Sequence, residues 1–481
     1  MSRRMEKPNA AANMHRDIKT ESKAADEGTG GWPALITAGL SVALILIDGF
    51  IISAAAPQIT SAFAIGADRM GWLIAAYTLP LAVSPMIFGI AGDRFGVKRL
   101  FVLGMGLLMI ASILCAMSMS FLELTACRFL QGLGAAMLSP QTLAVAARSL
   151  GAERRGFAIG VWGSVSSLGL LLGPVLGGAM LAYLPWHSIF LMNLPLGLLA
   201  ILAFTSVVPV AKEAIPPARQ LPLANIGLLI CGAGAVVLSL GSLFRGGMPG
   251  AAGIALGGCL LSLWLKRERD PQSEASALMG RVLLGNDAFF KAAAAAFAMN
   301  ASSAGTVAVL SLTVARTHAA PSIVIGLLFL PAMIAVAACM PLAGKLAQSR
   351  STLSRRLLLA STVIAIASPL LIGASLAAKD TASLVLCAVA IAAQGIAGAV
   401  LLSYATFSAL VAAGPLRSGL ASGAISMSRN LGTAMGAAAL TAAAAISATP
   451  ERAFFASALL ALFSLPFCLR YLQPAAAREK A

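Results

Sequence analysis

Charged and aromatic residues are both scarce in this chain. Asp, Glu, Lys and Arg together make up 11% of its 481 residues, and Phe, Trp and Tyr make up 6%. A typical soluble domain carries about 25% charged residues. This composition excludes an ordinary soluble enzyme or binding module. Because 59% of the residues are hydrophobic, we expect an integral membrane protein.

Several sequence signatures are also missing. The seven cysteines show no paired or ligand-like spacing, which argues against disulfides and against a bound metal. No Gly-x-x-x-x-Gly-Lys-Ser/Thr loop occurs, so ATP drive has no support. No catalytic site and no cofactor are expected. The longest polar stretches are residues 1–31 and 268–286, which leaves little room for a soluble sensor or scaffold domain.

Long apolar segments dominate the rest of the chain. Segments of about 20 apolar residues are long enough to cross a bilayer as helices, and the sequence contains fourteen of them. The predicted fold is therefore an all-α integral membrane protein with 14 transmembrane helices. The polar segment 1–31 is predicted to be a disordered cytoplasmic tail.

The distribution of basic residues predicts the orientation. The net charge is +16 with 34 Lys and Arg residues, and most of these fall in alternate loops on one side. On the other side lie only Arg69, Arg245, Arg316, Lys379 and Arg452. The positive-inside rule then places both termini in the cytoplasm of a plasma or inner cell membrane and requires an even number of spans. The basic balance reflects topology, so no nucleic-acid partner is expected.

Asp48 is the only one of the eighteen carboxylates that lies deep in an apolar run, residues 43–53. An ionised side chain near the middle of a spanning helix costs roughly 2.5 to 3.5 kcal/mol on insertion scales. Proteins that tolerate this cost usually move a proton, an ion or a charged substrate through that point. Asp48 is therefore a candidate coupling residue.

A loop with regularly spaced glycines follows the second predicted span, at residues 89–99. Its bases alone would serve as a positive-inside anchor, but that role explains neither its acid nor its glycines. An acid and three bases at the cytoplasmic surface suit a charge lock that forms and breaks as two groups of helices move. The residues of this predicted gate are Gly89, Asp93, Arg94, Gly96, Lys98 and Arg99.

The fourth span carries an intramembrane arginine, Arg128, followed by Gln131 and Gly132. Small and polar residues recur there at three- and four-residue spacing, so one face of this helix is expected to look into a cavity. The alternative is a structural arginine that binds backbone carbonyls. Asp48 and Arg128 lie within roughly 3 Å of each other in depth at about 1.5 Å per residue, so they could form a pair.

Glycine and proline shape the fifth span at Gly169, Gly173, Pro174, Gly177 and Gly178. The glycines at four-residue spacing form a flat stripe that lets another helix approach closely, while the proline removes one backbone donor. Close packing alone explains the stripe. It does not explain a Gly-Pro centre followed by paired glycines.

The thirteenth span has its own polar face, which includes Ser422, Ser426, Arg429 and Thr433. Arg429 is interpreted in two ways that the sequence does not separate: it binds or steers a substrate, or it only holds helices together.

These four patterns resemble motifs of the major facilitator superfamily. The 89–99 loop resembles its loop signature, with Val97 where the family usually has Arg. The residues from Arg128 to Gly132 resemble its Arg-x-x-Gln-Gly motif, whose arginine is assigned to proton coupling. The segment around Gly173 and Pro174 is similar to its antiporter motif, which implies exchange and makes a symporter the weaker alternative.

Further segments resemble the fourteen-span drug:proton antiporter branch of that superfamily. Residues 186–197 resemble an element of drug antiporters, with Ser188 in place of a second Trp. Residues 419–436 resemble another, with Asn430 in place of Gln, and Asp48 followed by Pro57 resembles the first-span element. The resemblance covers about residues 32–473.

The resemblance implies two pseudo-repeated six-helix bundles with two additional helices between them. The expected bundles are 32–210 and 287–473, with the additional helices at 223–267, a linker at 211–222, a loop at 268–286 and a tail at 474–481. Internal repetition supports this division, because Gly344 and Lys345 enter a loop much as Gly89 does. In that repeat, Gln348 stands where an acid is expected.

The implied function is proton-coupled export of amphipathic or cationic organic compounds by alternating access, that is, multidrug efflux. Burial favours the neutral form of Asp48 and a neighbouring guanidinium favours its ionised form, so protons and cations can compete there. The expected partners are membrane lipid, protons and a small organic substrate, with a periplasmic adaptor only in an organism with two membranes. Residues expected to contact the substrate are Trp72, Tyr77, Asn193, Asn300, Gln394, Tyr404, Phe407 and Arg429.

Two other functions share part of this pattern. An exporter of one endogenous metabolite, such as an amino acid, a siderophore or an antibiotic, would show every motif above. A non-transporting membrane sensor or scaffold would need a larger soluble domain than the polar stretches allow.

Overall fold

The computed structural model describes residues 30–209, 222–243, 248–270, 278, 284–317, 322–349, 351–376, 381–414, 417–446 and 451–472. Nearly all of the predicted tail 1–31 and linker 211–222, most of the loop 268–286 and the whole tail 474–481 lie outside these residues. Within them the chain is helical and contains no strand, as the apolar runs predict.

The first half contains eight helices and one short 3₁₀ turn at Ala152–Arg154. The helices are α1 Gly31–Ala62, α2 Ala67–Val83, α3 Pro85–Phe95, α4 Val97–Ala116, α5 Phe121–Ser149, α6 Arg155–Leu181, α7 Ser188–Leu191 and α8 Asn193–Val207.

Two helices follow, and the second half comes after them. The additional pair is α9 Leu223–Leu243 and α10 Met248–Arg269, which pack against each other. The second half contains α11 Asp287–Thr317, α12 Ser322–Gln348, α13 Thr352–Leu376, α14 Thr381–Ala413, α15 Ser418–Ile446, α16 Glu451–Leu462 and α17 Leu465–Leu472.

Helix length and composition support a membrane protein. Among the described residues, nine helices are long and apolar enough to cross a bilayer, or ten if α2 and α3 form one bent span. Helices α5, α9, α10 and α15 do not reach that criterion by themselves. The all-helical membrane architecture is shown, while the number of fourteen spans stays a prediction.

The second predicted span is broken rather than continuous. Helices α2 and α3 meet at Ser84 with a bend of 50°. Pro85 is the first residue of α3 and has no N–H to continue the hydrogen-bond ladder of α2. The last predicted span is also divided, between α16 and α17, and Pro466 lies in the first turn of α17.

The two halves repeat one packing pattern. Helix α1 packs along α6 and α4 along α5 in the first half, while α11 packs along α15 and α13 along α14 in the second. The halves meet chiefly along α6 with α12 and α3 with α15, and α15 also contacts α2 and α5. Helix α9 additionally contacts α2 and α15, so the additional pair lies beside the contact between the halves.

Candidate functional site

The structure brings Asp48 and Arg128 together inside the first half. Both side chains are completely buried, and Arg128 Nη1 lies 3.0 Å from Asp48 Oδ2. Arg128 Nη2 also donates to the backbone carbonyl of Asp48 at 3.3 Å. The guanidinium therefore contacts both the carboxylate and the backbone of the same residue, which fixes α1 against α5.

Two aromatic rings surround the guanidinium. Its Cζ lies 4.3 Å from the centroid of the Tyr77 ring and 5.8 Å from that of Phe190, distances at which a cation is attracted to an aromatic face. The Tyr77 hydroxyl donates to the Ile45 carbonyl at 2.8 Å. Tyr77 is a predicted substrate contact, and in this structure it packs on Arg128 and donates a hydrogen bond to α1.

A ring of side-chain hydrogen bonds completes the site. Asn193 Nδ2 donates to Asp48 Oδ1 at 2.6 Å and to Ser112 Oγ at 3.1 Å. Gln131 Nε2 donates to Ser112 Oγ at 2.7 Å, and Gln131 Oε1 accepts from Arg128 Nη1 at 3.0 Å. We call the residues Asp48, Arg128, Gln131, Ser112 and Asn193 the polar ring; they come from α1, α4, α5 and α8.

Sequence reasoning missed Ser112 and gave Asn193 a different role. Ser112 is one small polar residue in the apolar helix α4, and such residues are common in spanning helices, so its sequence carries little signal. Asn193 is a predicted substrate contact, yet it is fully buried and donates to the carboxylate of Asp48. Residues far apart in the chain meet here, and only the packing of four helices shows it.

The polar ring makes the buried ion pair tolerable. Two charges removed from water need good geometry and hydrogen bonds to their remaining atoms, or the desolvation penalty exceeds their attraction. Here Arg128 and Asn193 contact the two different carboxylate oxygens of Asp48. Protonation of Asp48 would remove the ion pair and leave a buried guanidinium beside a neutral acid, so α1 and α5 would be driven to rearrange.

Glycines set the position of α1 and of Tyr77. A Cβ at Gly169 would lie 2.6 Å from the carbonyl oxygen of Ala43, and one at Gly177 would lie 2.8 Å from the Ile51 side chain. Gly132 lies against the backbone of Tyr77 with no room for a Cβ. Gly178 differs, because a Cβ there meets nothing within 4 Å. The predicted stripe is thus a close contact between α6 and the helix that carries Asp48.

The predicted loop 89–99 is helical except at Gly96, where α3 ends and α4 begins. Its acid, Asp93 in the last turn of α3, caps a helix of the other half. Asp93 Oδ1 and Oδ2 accept from the backbone N–H groups of Gly419 and Leu420, each at 2.8 Å. These groups are at the start of α15, where free N–H groups and the helix dipole attract a carboxylate. Arg148 donates to the Ser418 hydroxyl beside them. Gly89 packs directly on the Gly419 carbonyl, with no space for a side chain.

The bases of that segment contact several other groups. Lys98 Nζ donates to the carbonyls of Thr205 and Val208 at the end of α8, where cations are favoured. Arg94 lies over the Phe95 ring with its Cζ 5.0 Å from the centroid, and Arg99 is exposed. At this contact between the halves, the charged group that binds the other half is therefore Asp93, which accepts from the N-terminus of α15.

The internal repeat of this loop makes the matching contact on the other side. Gln348 Oε1 accepts from the backbone N–H of Gly156 at 3.1 Å, and Gln348 Nε2 donates to the Ala152 carbonyl at 2.8 Å. Gly344 and Gly156 lie against each other as Gly89 and Gly419 do. An uncharged amide thus binds the start of α6, where an acid binds the start of α15.

Most of the other predicted substrate contacts lie elsewhere. Trp72 is 62% exposed on α2, and the Asn300 amide donates to the Ala296 carbonyl of its own helix. Gln394 donates to Ser302 and Thr306 within the second half.

Two further predicted contacts lie elsewhere in the second half. Tyr404 is buried and exchanges hydrogen bonds with Ser354. Phe407 lines a cavity of about 480 Å³ together with Gln348 and Arg470. Neither side chain is brought to the polar ring.

Arg429 is placed differently from these residues. It lies on α15 with its Cζ 5.5 Å from the centroid of the Trp162 ring on α6. Its side chain therefore reaches from one half of the molecule to the other.

Comparison with known proteins identifies the family. The model of the Major Facilitator Superfamily matches residues 38–349. The chain belongs to the Major Facilitator Superfamily. The resemblance predicted from the motifs is thereby confirmed, and the chain is a multi-pass membrane transporter of this family.

Two relatives come from Mycobacterium tuberculosis. Multidrug resistance protein Stp is 31% identical over 428 residues, covering 87% of this chain and 77% of Stp. The uncharacterized MFS-type transporter Rv1250 is 38% identical over 178 residues, which are 37% of this chain and only 31% of that relative.

A solved structure shares the fold. The human organic anion transporter MFSD10 superposes with a TM-score of 0.64, covering 91% of this chain and 99% of MFSD10, at 17% identity. At that identity the likeness shows the arrangement of helices and nothing about the substrate.

Proposed function

We propose that this transporter exports amphipathic or cationic organic compounds in exchange for protons. The observation that carries the proposal is the buried pair of Asp48 and Arg128, 3.0 Å apart, with Asn193 on the second carboxylate oxygen. Asp48 is the one acidic residue that lies deep in an apolar run of the sequence. The name of the relative Stp, a multidrug resistance protein, supports drug-like substrates.

Competition at Asp48 is the proposed coupling step. A proton that enters from outside neutralises the carboxylate, and a cationic group that arrives from inside competes for the same oxygen atoms. The release of Arg128 in either case changes how α1 and α5 are held. The closely packed glycines of α6 transmit that change, because α6 contacts both α1 and the second half through α12.

The cytoplasmic contacts supply the gate. Asp93 binds the start of α15, and Gln348 binds the segment 152–156 at the start of α6. These two contacts hold the halves together at that end. Their breakage would open the central space toward the cytoplasm. The proposed topology has fourteen spans, two six-helix bundles and an additional pair, with both termini in the cytoplasm.

Transport into inside-out membrane vesicles tests this function. The vesicle lumen is acidified, and the uptake of fluorescent dyes and toxic cations is followed together with the exit of protons. We expect accumulation that collapses when the pH gradient is dissipated. A panel that includes amino acids and siderophores separates a broad exporter from one that serves a single metabolite.

Asp48→Asn is the decisive variant, and Glu153→Gln is its matched control. Both remove one carboxylate, but Glu153 is exposed in the short turn before α6. Asp48→Asn should abolish accumulation driven by the pH gradient, and Glu153→Gln should leave it unchanged. Accumulation at the wild-type rate in Asp48→Asn would refute the assignment.

A further inference from the structure

Arg429 is the second arginine within the predicted spans, and unlike Arg128 it forms no ion pair with an acid among the described residues. The sequences of α6, α12 and α15 contain no Asp or Glu. Asp48 is already bound by Arg128 and Asn193. The polar ring is therefore neutral as a whole, and Arg429 adds one positive charge to the region between the halves.

Its donors are also unused. A guanidinium has five N–H donors and no acceptor. Within the described part of the chain, the Arg429 side chain makes only the contact with the face of Trp162. An arginine that merely held helices together would be expected to donate to backbone carbonyls or to a carboxylate. Arg429 is half-buried, and no described protein acceptor takes its N–H groups.

Two other polar groups beside it are buried and lack partners. Trp162 is 3% exposed and Ser426 is 2% exposed, and in the part of the chain that the structure describes neither Trp162 Nε1 nor Ser426 Oγ has a hydrogen-bond partner. The first group belongs to the ring under the guanidinium, and the second lies three residues before Arg429 on the same helix face. An indole N–H can only donate, and a hydroxyl can donate. The three groups together match an anion.

The location suits substrate binding between the halves. Helix α6 packs on α12, and α15 packs on α2 and α3, so Trp162 and Arg429 come from opposite halves and meet where the halves are in contact. Asn430 donates to the Leu81 carbonyl, whereas Tyr77, one turn away on α2, lies at the polar ring. The four residues from Tyr77 to Leu81 correspond to about 6 Å along the helix at 1.5 Å per residue, so one small molecule can reach both depths.

We propose that Arg429, on the face of Trp162, binds the carboxylate or sulfonate of an amphipathic substrate. The proposal rests on the proposed export function and narrows its substrates to compounds that carry an anionic group. Zwitterions are included, because their cationic group can compete at Asp48 while the anionic group lies at Arg429. Arginine suits this role because its planar fork matches the two oxygens of a carboxylate.

The test uses two dyes that differ in one group. Rhodamine B carries a free carboxylate, and its ethyl ester has the same aromatic cation without that carboxylate. Binding of each dye to the purified full-length protein is measured by fluorescence polarisation. Wild-type protein should bind the acid about tenfold more tightly than the ester, because one charge-assisted hydrogen bond accounts for a difference of that size.

The variants locate that preference at Arg429. Arg429→Gln should weaken binding of the acid about tenfold and leave the ester unchanged. Arg452→Gln, which removes an exposed arginine at the start of α16, should change neither. Trp162→Phe keeps the ring face and removes Nε1, so it should lower the preference for the acid by a smaller factor. Melting temperature and elution volume show whether each variant is folded.

Defined outcomes overturn the proposal. The proposal fails if the wild type binds both dyes equally or binds neither dye. It also fails if Arg429→Gln loses affinity for both dyes to the same extent. If Arg429→Gln does not fold, Arg429→Lys decides instead, because it keeps the charge and loses the fork. Arg429→Lys should weaken binding of the acid several-fold and leave binding of the ester unchanged. An unchanged preference for the acid would refute the role of the guanidinium fork.

Failure of the export function gives a different result. If the vesicles show no uptake driven by a pH gradient while the purified protein keeps its Arg429-dependent preference, the export proposal fails and the anion site stands. If uptake of rhodamine B persists at the wild-type rate in Arg429→Gln, the anion site fails and the export proposal stands.

Discussion

At the scale of single residues, the chain concentrates its intramembrane charge at three positions with separate tasks. Asp48 and Arg128 neutralise each other in the polar ring, and Arg429 stands alone between the halves. Composition and apolar runs are enough to find all three. The partners of Asp48 are harder to find, because Ser112 and Asn193 are ordinary polar residues until four helices bring them to one carboxylate.

The ion pair predicts strong coupling between two mutations. Arg128→Gln leaves a buried carboxylate unpaired, and Asp48→Asn leaves a buried guanidinium, so each should destabilise the protein by about 3–5 kcal/mol. The double variant removes both charges and should be clearly more stable than the sum of the single effects predicts. Thermal unfolding in detergent measures this cycle.

The cycle has a simple contradictory outcome. Strictly additive losses would mean that the two groups do not interact in the folded protein, whatever their distance. The two single variants and the double variant should all lose transport, since each removes at least one member of the proposed coupling pair.

At the scale of helices, glycines decide which elements can approach each other. Helix α6 lies along α1 because Gly169, Gly173 and Gly177 present no side chains to it. The sequence predicts this stripe from its spacing alone. It cannot say which helix the stripe contacts, because many helices of the chain could fill such a groove.

Two glycines of the same motif predict opposite mutational effects. Gly169→Ala places a Cβ 2.6 Å from the Ala43 carbonyl oxygen, so α1 must shift and both stability and transport should fall, by about 1–3 kcal/mol in stability. Gly178→Ala meets nothing within 4 Å and should be neutral or gain up to about 1 kcal/mol from helix propensity. Melting temperatures of the two variants check this, and similar losses in both would refute the packing argument.

Loss of the Asp93 carboxylate that caps α15 should raise the fraction of molecules in which the two halves are apart at this end. Asp93→Asn removes the charge that binds the start of α15 and keeps the size of the side chain, so the ends of the halves that this contact joins should separate more often. Spin labels at the exposed positions Glu153 and Arg417 report that separation by double electron–electron resonance.

The same labels provide the control for that prediction. Gln348→Ala removes both hydrogen bonds of the matching contact at the start of α6, so it should also favour the open arrangement. An unchanged distance distribution in both variants would mean that these caps do not control opening.

At the scale of the whole molecule, two halves with the same internal packing meet chiefly along two helix pairs. This arrangement agrees with the superposition on MFSD10 over 91% of the chain. The additional pair α9 and α10 lies at the side of this contact, against α2 and α15. A pair of spans inserted between the halves preserves the orientation of the second half.

The topology predicts the accessibility of both ends. With both termini in the cytoplasm, protease-cleavable tags at the N-terminus and the C-terminus should be cut in inside-out vesicles and protected in right-side-out vesicles. A tag in the loop after α6 serves as the opposite control. Cleavage of the two terminal tags from different sides would exclude an even number of spans.

The sequence by itself determined the class, the family and the positions of the intramembrane charges. Hydrophobic run length and the cost of a charge in lipid are local properties, and short motifs such as residues 89–99 are contiguous in the chain. Only the tertiary structure decided what each charge contacts. Asp93 meets residues 419 and 420, and Asn193 meets Asp48, because hydrogen bonding depends on distance in space and the helices bring remote segments within 3 Å.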